Sequence, residues 1–169
     1  MKVKSNNKDY KLSGTKAETL AILSELGYNV PPVYFFTVNQ WKSNYKSISK
    51  KILNLYSGKK IAVRSSTKAE DTSDSSMAGA FHSILNVKAE QENIYNSVNK
   101  VIHSYDGDIN NQVLIQPMVD NVSMSGVIMT QVLDDGSPYY VYNYDDKTGL
   151  TDTVTSGSSV NKTVYVYNG

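Results

Sequence analysis

The sequence predicts an α+β protein in which helices dominate the earlier part and antiparallel strands the later part. Three observations predict it. Apolar residues recur every three or four positions in three stretches before Asp106. From Gln112 onward the pattern changes to short apolar or alternating runs rich in Val, Ile and Tyr. Clusters of Gly, Asp, Asn and Pro separate these segments where a turn is needed.

The first helix is expected to begin at Thr15. Thr15 and Glu18 have capping-box spacing, Ala17, Leu20, Ala21, Leu23 and Leu26 follow at helical intervals, and Gly27 supplies the stop. After Pro31-Pro32, the apolar and aromatic run Val33–Val38 reads as a buried strand. A second helix is expected from Asn39 to Tyr56, with Trp41, Tyr45, Ile48, Ile52 and Leu55 on one side and Ser57-Gly58 closing it. Lys60–Arg64 reads as a short strand. The polar stretch Ser66–Gly79 reads as a loop, because it lacks apolar periodicity.

Strand character returns at His82–Val87, and Ala89–Tyr105 forms a third helical pattern with Ile94, Val98, Val101 and Ile102 on one face. Gln112–Val119 and Ser125–Leu133 are expected strands, Asp134-Asp135-Gly136 a turn, and Tyr139–Tyr144 a hairpin partner. The tail from Thr148 mixes Gly, Ser and Thr and carries a last strand at Thr163–Tyr167. The expected division is a first part over residues 1–111 and a second over 112–169.

Composition removes several function classes. The 169 residues carry a net charge of +1, so no global field favours nucleic acid or an anionic membrane. No apolar run approaches the roughly 20 residues that span a bilayer, and the lysine-rich start lacks a signal-peptide core. A cytoplasmic location is therefore the expectation. Cysteine is absent, which excludes disulfides, thiolate metal sites and cysteine nucleophiles within these residues.

Of 17 cationic side chains, Arg64 alone is arginine. In so lysine-rich a chain, an arginine suggests a need for the planar guanidinium fork, which grips phosphate at two points where lysine offers a single charge. Arg64 ends a strand at Ser65-Ser66-Thr67 and precedes a small-residue loop through Ser75-Ser76-Met77-Ala78-Gly79. Such a segment offers hydroxyl and backbone N–H donors to a polyphosphate. Taken alone, it fits equally well a surface loop whose arginine pairs with Glu70 or Asp71.

The run from Ala62 to Asp71, then Met77-Ala78-Gly79 and Leu85-Asn86-Val87, resembles a signature of the phosphoenolpyruvate synthase and pyruvate phosphate dikinase family, which includes rifampin phosphotransferases. Gly14-Thr15-Lys16-Ala17-Glu18, followed by Leu26-Gly27 and Val30-Pro31-Pro32, is similar to the family's opening motif. Val113–Val119 with Ser125–Thr130, and Gly149-Leu150 with Val154–Gly157, resemble further family segments in the same order. The family pattern has a second glycine at Thr15, a small residue at Lys68 and an arginine at Pro117, so these positions depart from it.

The resemblance implies the N-terminal lobe of an ATP-grasp domain, incomplete within this length. It implies that Lys16 and Arg64 bind phosphate and that Ser65 and the loop Ser76, Met77, Ala78 and Gly79 contact nucleotide. It also implies a hinge at Gln116, Met118 and Val119 that receives adenine. The implied reaction consumes ATP, forms AMP and phosphorylates a small acceptor through a phosphohistidine in a domain outside this chain. Pyruvate is one acceptor and L-glutamine, as in related kinases, another. Mg²⁺ is expected, with its acidic ligands also outside the chain, and this part alone is expected to be inactive. Neither His82 nor His103 matches the family's phosphohistidine motif. The competing expectation is a non-catalytic module that binds nucleotide or a partner.

Overall fold

A computed structural model describes residues 2–5, 8–11, 14–67, 71–72, 75–76, 83–157 and 161–169. The elements in chain order are β1 (Lys2–Ser5), β2 (Lys8–Lys11), α1 (Lys16–Glu25), β3 (Tyr34–Thr37), α2 (Val38–Tyr56), β4 (Lys60–Ser66), β5 (Asp71–Thr72) and β6 (Ser75–Ser76). They continue with β7 (Ser83–Lys88), α3 (Gln91–His103), β8 (Gln112–Pro117), β9 (Ser125–Met129), β10 (Tyr139–Asp145), α4 (Thr153–Ser156) and β11 (Lys162–Tyr167). The α+β expectation is borne out.

The chain divides into two compact units, Met1–Met118 and Val119–Gly169. The boundary read from sequence at 111/112 lies before β8. By contacts, β8 belongs with the first unit, because it pairs there with both β3 and β4.

In the first unit, β3, β8, β4 and β7 form an antiparallel sheet in that order. Side chains alternate across a strand, so one face of β4 carries Ile61, Val63 and Ser65 and the other Ala62, Arg64 and Ser66. Ile61 and Val63, with Val113 and Ile115 of β8, pack against Trp41, Ile48 and Ile52 of α2 and Ile94, Val98 and Val101 of α3. This is the main core. Tyr56 closes one edge of it, donating from its hydroxyl to the carbonyls of Pro32 (3.1 Å) and Ile115 (3.3 Å). Burial pushes its phenol pKa up to about 12.

Local chemistry accounts for the helix boundaries. At α1 the Thr15 hydroxyl accepts from the Glu18 N–H at 3.2 Å, and the Glu18 carboxylate accepts from the Thr15 N–H at 3.0 Å. Thr37 and Gln40 make the same reciprocal pair at the start of α2, at 3.1 and 2.8 Å. Within α2, Asn44 is non-helical (φ −150°, ψ 41°) and marks a kink. Opposite β4, the register slips between Ile61 and Val63, and Asn86 in β7 adopts φ 58°, a left-handed conformation that asparagine tolerates better than most residues.

The second unit is a sheet in the order β11-β10-β9, with α4 against β9 and β10. Backbones approach closely at Gly126, where an added Cβ would clash with the Asn143 carbonyl oxygen. Asp145 organises the chain that follows it. Its carboxylate accepts from the N–H groups of Lys147 (2.8 Å) and Thr148 (3.2 Å) and from the hydroxyls of Thr148 and Thr153. These donors, the Thr148 hydroxyl foremost, hold its carboxyl well below the usual carboxylate range.

Several expectations differ from the outcome. The β1–β2 hairpin was not expected, because short polar strands with few apolar residues carry little periodic signal. β5 and β6 pair as a two-residue ladder, Asp71 with Ser76 and Thr72 with Ser75, inside the stretch read as a loop. β9 ends at Met129 where a strand to Leu133 was expected, because the Gly136 and Ser137 backbone groups bond to Val132 and turn the chain. α4 lies in a tail whose small polar residues gave no helical pattern.

Candidate functional site

Of the candidate residues, the sheet face opposite the core carries Arg64 and Gln116. Ala62, Arg64 and Ser66 of β4 lie beside Gln116, Leu114 and Gln112 of β8, their respective partners in the antiparallel register. The N-terminus of α1 is bonded to one end of this face. The Ala17 backbone N–H donates to Ser66 Oγ at 3.0 Å, and Thr15 Oγ1 donates to Gln112 Oε1 at 2.7 Å. Gln112 Nε2 in turn donates to Glu18 Oε1 at 3.1 Å. The helix N-terminus is therefore fixed to two adjacent strands through four side chains.

Lys16 stands between Thr15 and Ala17, which are 4% and 0% exposed, while its own side chain reaches solvent. Arg64 precedes Ser66 by two residues on the same face, about 6.6 Å along the strand. The Ala17–Ser66 bond therefore brings the backbone at Lys16 to the end of the face that also carries Arg64. Arg64 is half-buried, and its Nε is buried without a hydrogen-bond partner. An unpaired buried donor costs about 1–3 kcal/mol, which an acceptor arriving with a ligand would offset. Thr67 Oγ1, just past the end of β4, is buried and unpartnered as well.

The other candidates are distributed differently. Ser65 is 2% exposed and points to the helix-covered face, away from Arg64. Gln116 shares the Arg64 face and is half-buried. Met118 extends the β4–β8 pairing by one bond, its N–H donating to the Lys60 carbonyl at 2.9 Å, whereas Val119 is exposed. Ser76 is described only as a backbone position in β6, and Met77, Ala78 and Gly79 lie outside the described residues.

His103 is on α3, which packs against the opposite face of the sheet from Arg64, and its Nδ1 lies 2.6 Å from the Asn99 carbonyl oxygen. The side chain of His82 is outside the described residues. Among the described residues, no group of three or more His, Cys, Asp or Glu could hold a metal ion, and no helix is long and apolar enough to cross a membrane.

The model of the pyruvate phosphate dikinase AMP/ATP-binding domain matches residues 38–168, well over half of the chain. The chain belongs to that family. The matched range includes Arg64 and three strands of the four-stranded sheet, β4, β7 and β8, while Lys16, α1 and β3 precede it. No curated protein matches the chain. Membership gives this AMP/ATP-binding domain its general character, that of the nucleotide-binding part of a kinase or dikinase type of enzyme.

Sequence reasoning named Ser66 and Thr67 only as part of the hydroxyl-rich segment after Arg64, singled out Ser65, and passed over Gln112. The signal that could have singled out Ser66 is strand alternation: once Arg64 is the residue of interest, i+2 shares its face and i+1 does not. Ser66 was therefore a better candidate than Ser65.

Proposed function

We propose that this domain holds the phosphates of ATP between Lys16 and Arg64, within an AMP-forming phosphotransferase whose phosphohistidine lies outside these 169 residues. The observation that carries the reading is the bond from the Ala17 N–H to Ser66 Oγ, which secures Lys16 beside the face where Arg64 has an unpaired Nε. A guanidinium whose Nε lacks an acceptor suits a polyanion. Family membership supplies the nucleotide.

In this reading the two cations act by position and charge. They orient the phosphates and neutralise charge that builds up as a phosphoryl group leaves, and neither needs to exchange a proton. Gln116 offers an amide at the other end of the same face, where Met118 and Val119 would border the adenine. Ser76, Met77, Ala78 and Gly79 would contact the phosphates from the loop, with glycine permitting close backbone approach. Ser65 would contribute by supporting β4 from behind.

Mg²⁺ would accompany ATP and lessen the charge that the cations face, with its protein ligands in a later segment. Residues 1–111 would form the first ATP-grasp subdomain, and 112–169 the hinge strand and the start of the second. The position of His103 across the sheet from Arg64 supports a relay histidine elsewhere. The acceptor would be pyruvate or another small molecule such as L-glutamine, and the setting cytoplasmic.

Isothermal titration of Mg–ATP into the chain and its Arg64→Ala variant tests the reading. Loss of a charge-assisted pair should weaken binding about tenfold or more. Equal affinity in both proteins would refute a phosphate role for Arg64. Acceptor-dependent AMP formation by the protein with its downstream sequence tests the relay, and ADP as the sole product would exclude it.

A further inference from the structure

A separate open pocket of about 350 Å³ lies on the surface of the helical side of the first unit, lined by Tyr45, Ser49, Gln91, Glu92 and Tyr95. We infer that it binds a small primary ammonium compound, with the cation against the open face of the Tyr45–Tyr95 pair, Glu92 as counter-charge and Ser49 Oγ as hydrogen-bond acceptor. Nothing in this inference depends on the nucleotide site, which occupies the opposite face of the sheet.

Ser49 is the first observation. It is 2% exposed, and its Oγ is buried without a hydrogen-bond partner. A serine within a helix normally donates to the carbonyl four residues earlier, here that of Tyr45, yet that bond is not made. A hydroxyl left unpaired at such depth is costly, and a ligand N–H is one way to satisfy it.

The aromatic arrangement is the second. The Tyr45 and Tyr95 rings stand edge to face, with centroids 5.4 Å apart and planes at 62°. In an edge-to-face pair one ring keeps a face open beside the other, and that electron-rich face attracts a cation. Glu92 is the charged group in the lining, so the local charge favours a cation over an anion. The kink at Asn44 immediately precedes Tyr45 and sets the direction of its turn of α2. Lys46 and Lys50 adjoin Tyr45 and Ser49 in sequence but extend into solvent. A quaternary ammonium would satisfy the rings and Glu92 but has no N–H for Ser49, which narrows the class to amines that keep a proton.

Trp41 provides a direct readout. It is the single tryptophan, and its ring centroid lies 6.0 Å from that of Tyr45 and 6.2 Å from that of Tyr95. Titration with n-propylammonium at constant ionic strength should change Trp41 emission saturably, while n-propanol over the same range should not. Ser49→Ala should weaken binding about tenfold, the scale of a hydrogen bond to a charged donor, and alanine keeps the helix intact. Glu92→Gln should weaken it severalfold. Far-UV circular dichroism of both variants checks that the fold is retained.

The inference fails if n-propanol matches n-propylammonium, since the site is then an apolar or polyol pocket. It also fails if tetramethylammonium binds as tightly as n-propylammonium, or if both variants bind as wild type. Absence of any saturable change in Trp41 emission together with unshifted Tyr45 and Tyr95 ring resonances overturns it outright.

Discussion

The two units bury their sheets by different means. In the first, a four-stranded sheet has one face covered by α2 and α3, and Ile52, Ile61, Ile94, Ile115, Val63, Val98, Val101 and Val113 are all fully buried there. In the second, Val141 is the one buried hydrophobic residue among those described, and every residue of β11 is exposed. What is buried instead is polar: Asp145 and Thr153, tied by a hydrogen bond of 2.8 Å. The first unit is held by removal of apolar surface from water, the second by a sheet ladder and one satisfied carboxylate. Proximity of phosphate-binding groups needs a stiff support, and the candidate cations sit on the unit that has one.

The largest expected effect concerns the first unit. Ile52→Ala leaves a cavity in a fully buried position and should lower stability by about 2–5 kcal/mol. Denaturant unfolding followed by Trp41 fluorescence would show it, with amide exchange in β9, β10 and β11 changing less. An equal rise in exchange across both units would erase the distinction between them.

Gly126→Ala should destabilise the second unit by about 1–3 kcal/mol, because the added methyl meets the Asn143 carbonyl and the Tyr144 backbone. Amide exchange in β9 and β10 measures it. Protection that survives unchanged would mean that the strands can part without cost at this point.

The effect of acid should be smaller and confined to the second unit. Asp145 has a depressed folded pKa, so the stability it contributes is present above the ordinary aspartate value, near 3.8, and is lost as pH falls through its folded value. The segment 145–153 should therefore lose amide protection below about pH 4. In Asp145→Asn that segment should already be less protected at neutral pH and should respond little to acid. Identical pH profiles for wild type and variant would show that another group governs the acid response.

The difference between the units also governs how much could be read from the sequence. Elements with a buried apolar stripe were legible: Trp41, Ile48 and Ile52 mark α2, and Ile94, Val98 and Val101 mark α3, because each stripe meets the main core. The Thr15–Glu18 cap of α1 was legible as well, since capping is a local rule. Elements held by backbone pairing or polar contacts were not. β1, β2, β5 and β6 have too few residues for a period to register, and α4 is a single turn beside Asp145.

For the candidate site, the choice of Lys16 and Arg64 came from motif and residue type. The docking of the start of α1 on the Arg64 face came from contacts between residues far apart in sequence, Ala17 with Ser66 and Thr15 with Gln112, which no local pattern encodes. Ser65 was chosen over Ser66 for want of strand phase, and the phase became fixed once Ile61 and Val63 were seen to face the core.

The most direct measurement is calorimetric affinity for adenosine, AMP, ADP and ATP, compared between wild type and the Lys16→Ala, Arg64→Ala double variant. If the two cations hold the phosphate chain, wild-type affinity rises with each phosphate and the double variant binds all four nearly alike. If the rise from adenosine to ATP persists in the double variant, the phosphates are held elsewhere and the account is wrong.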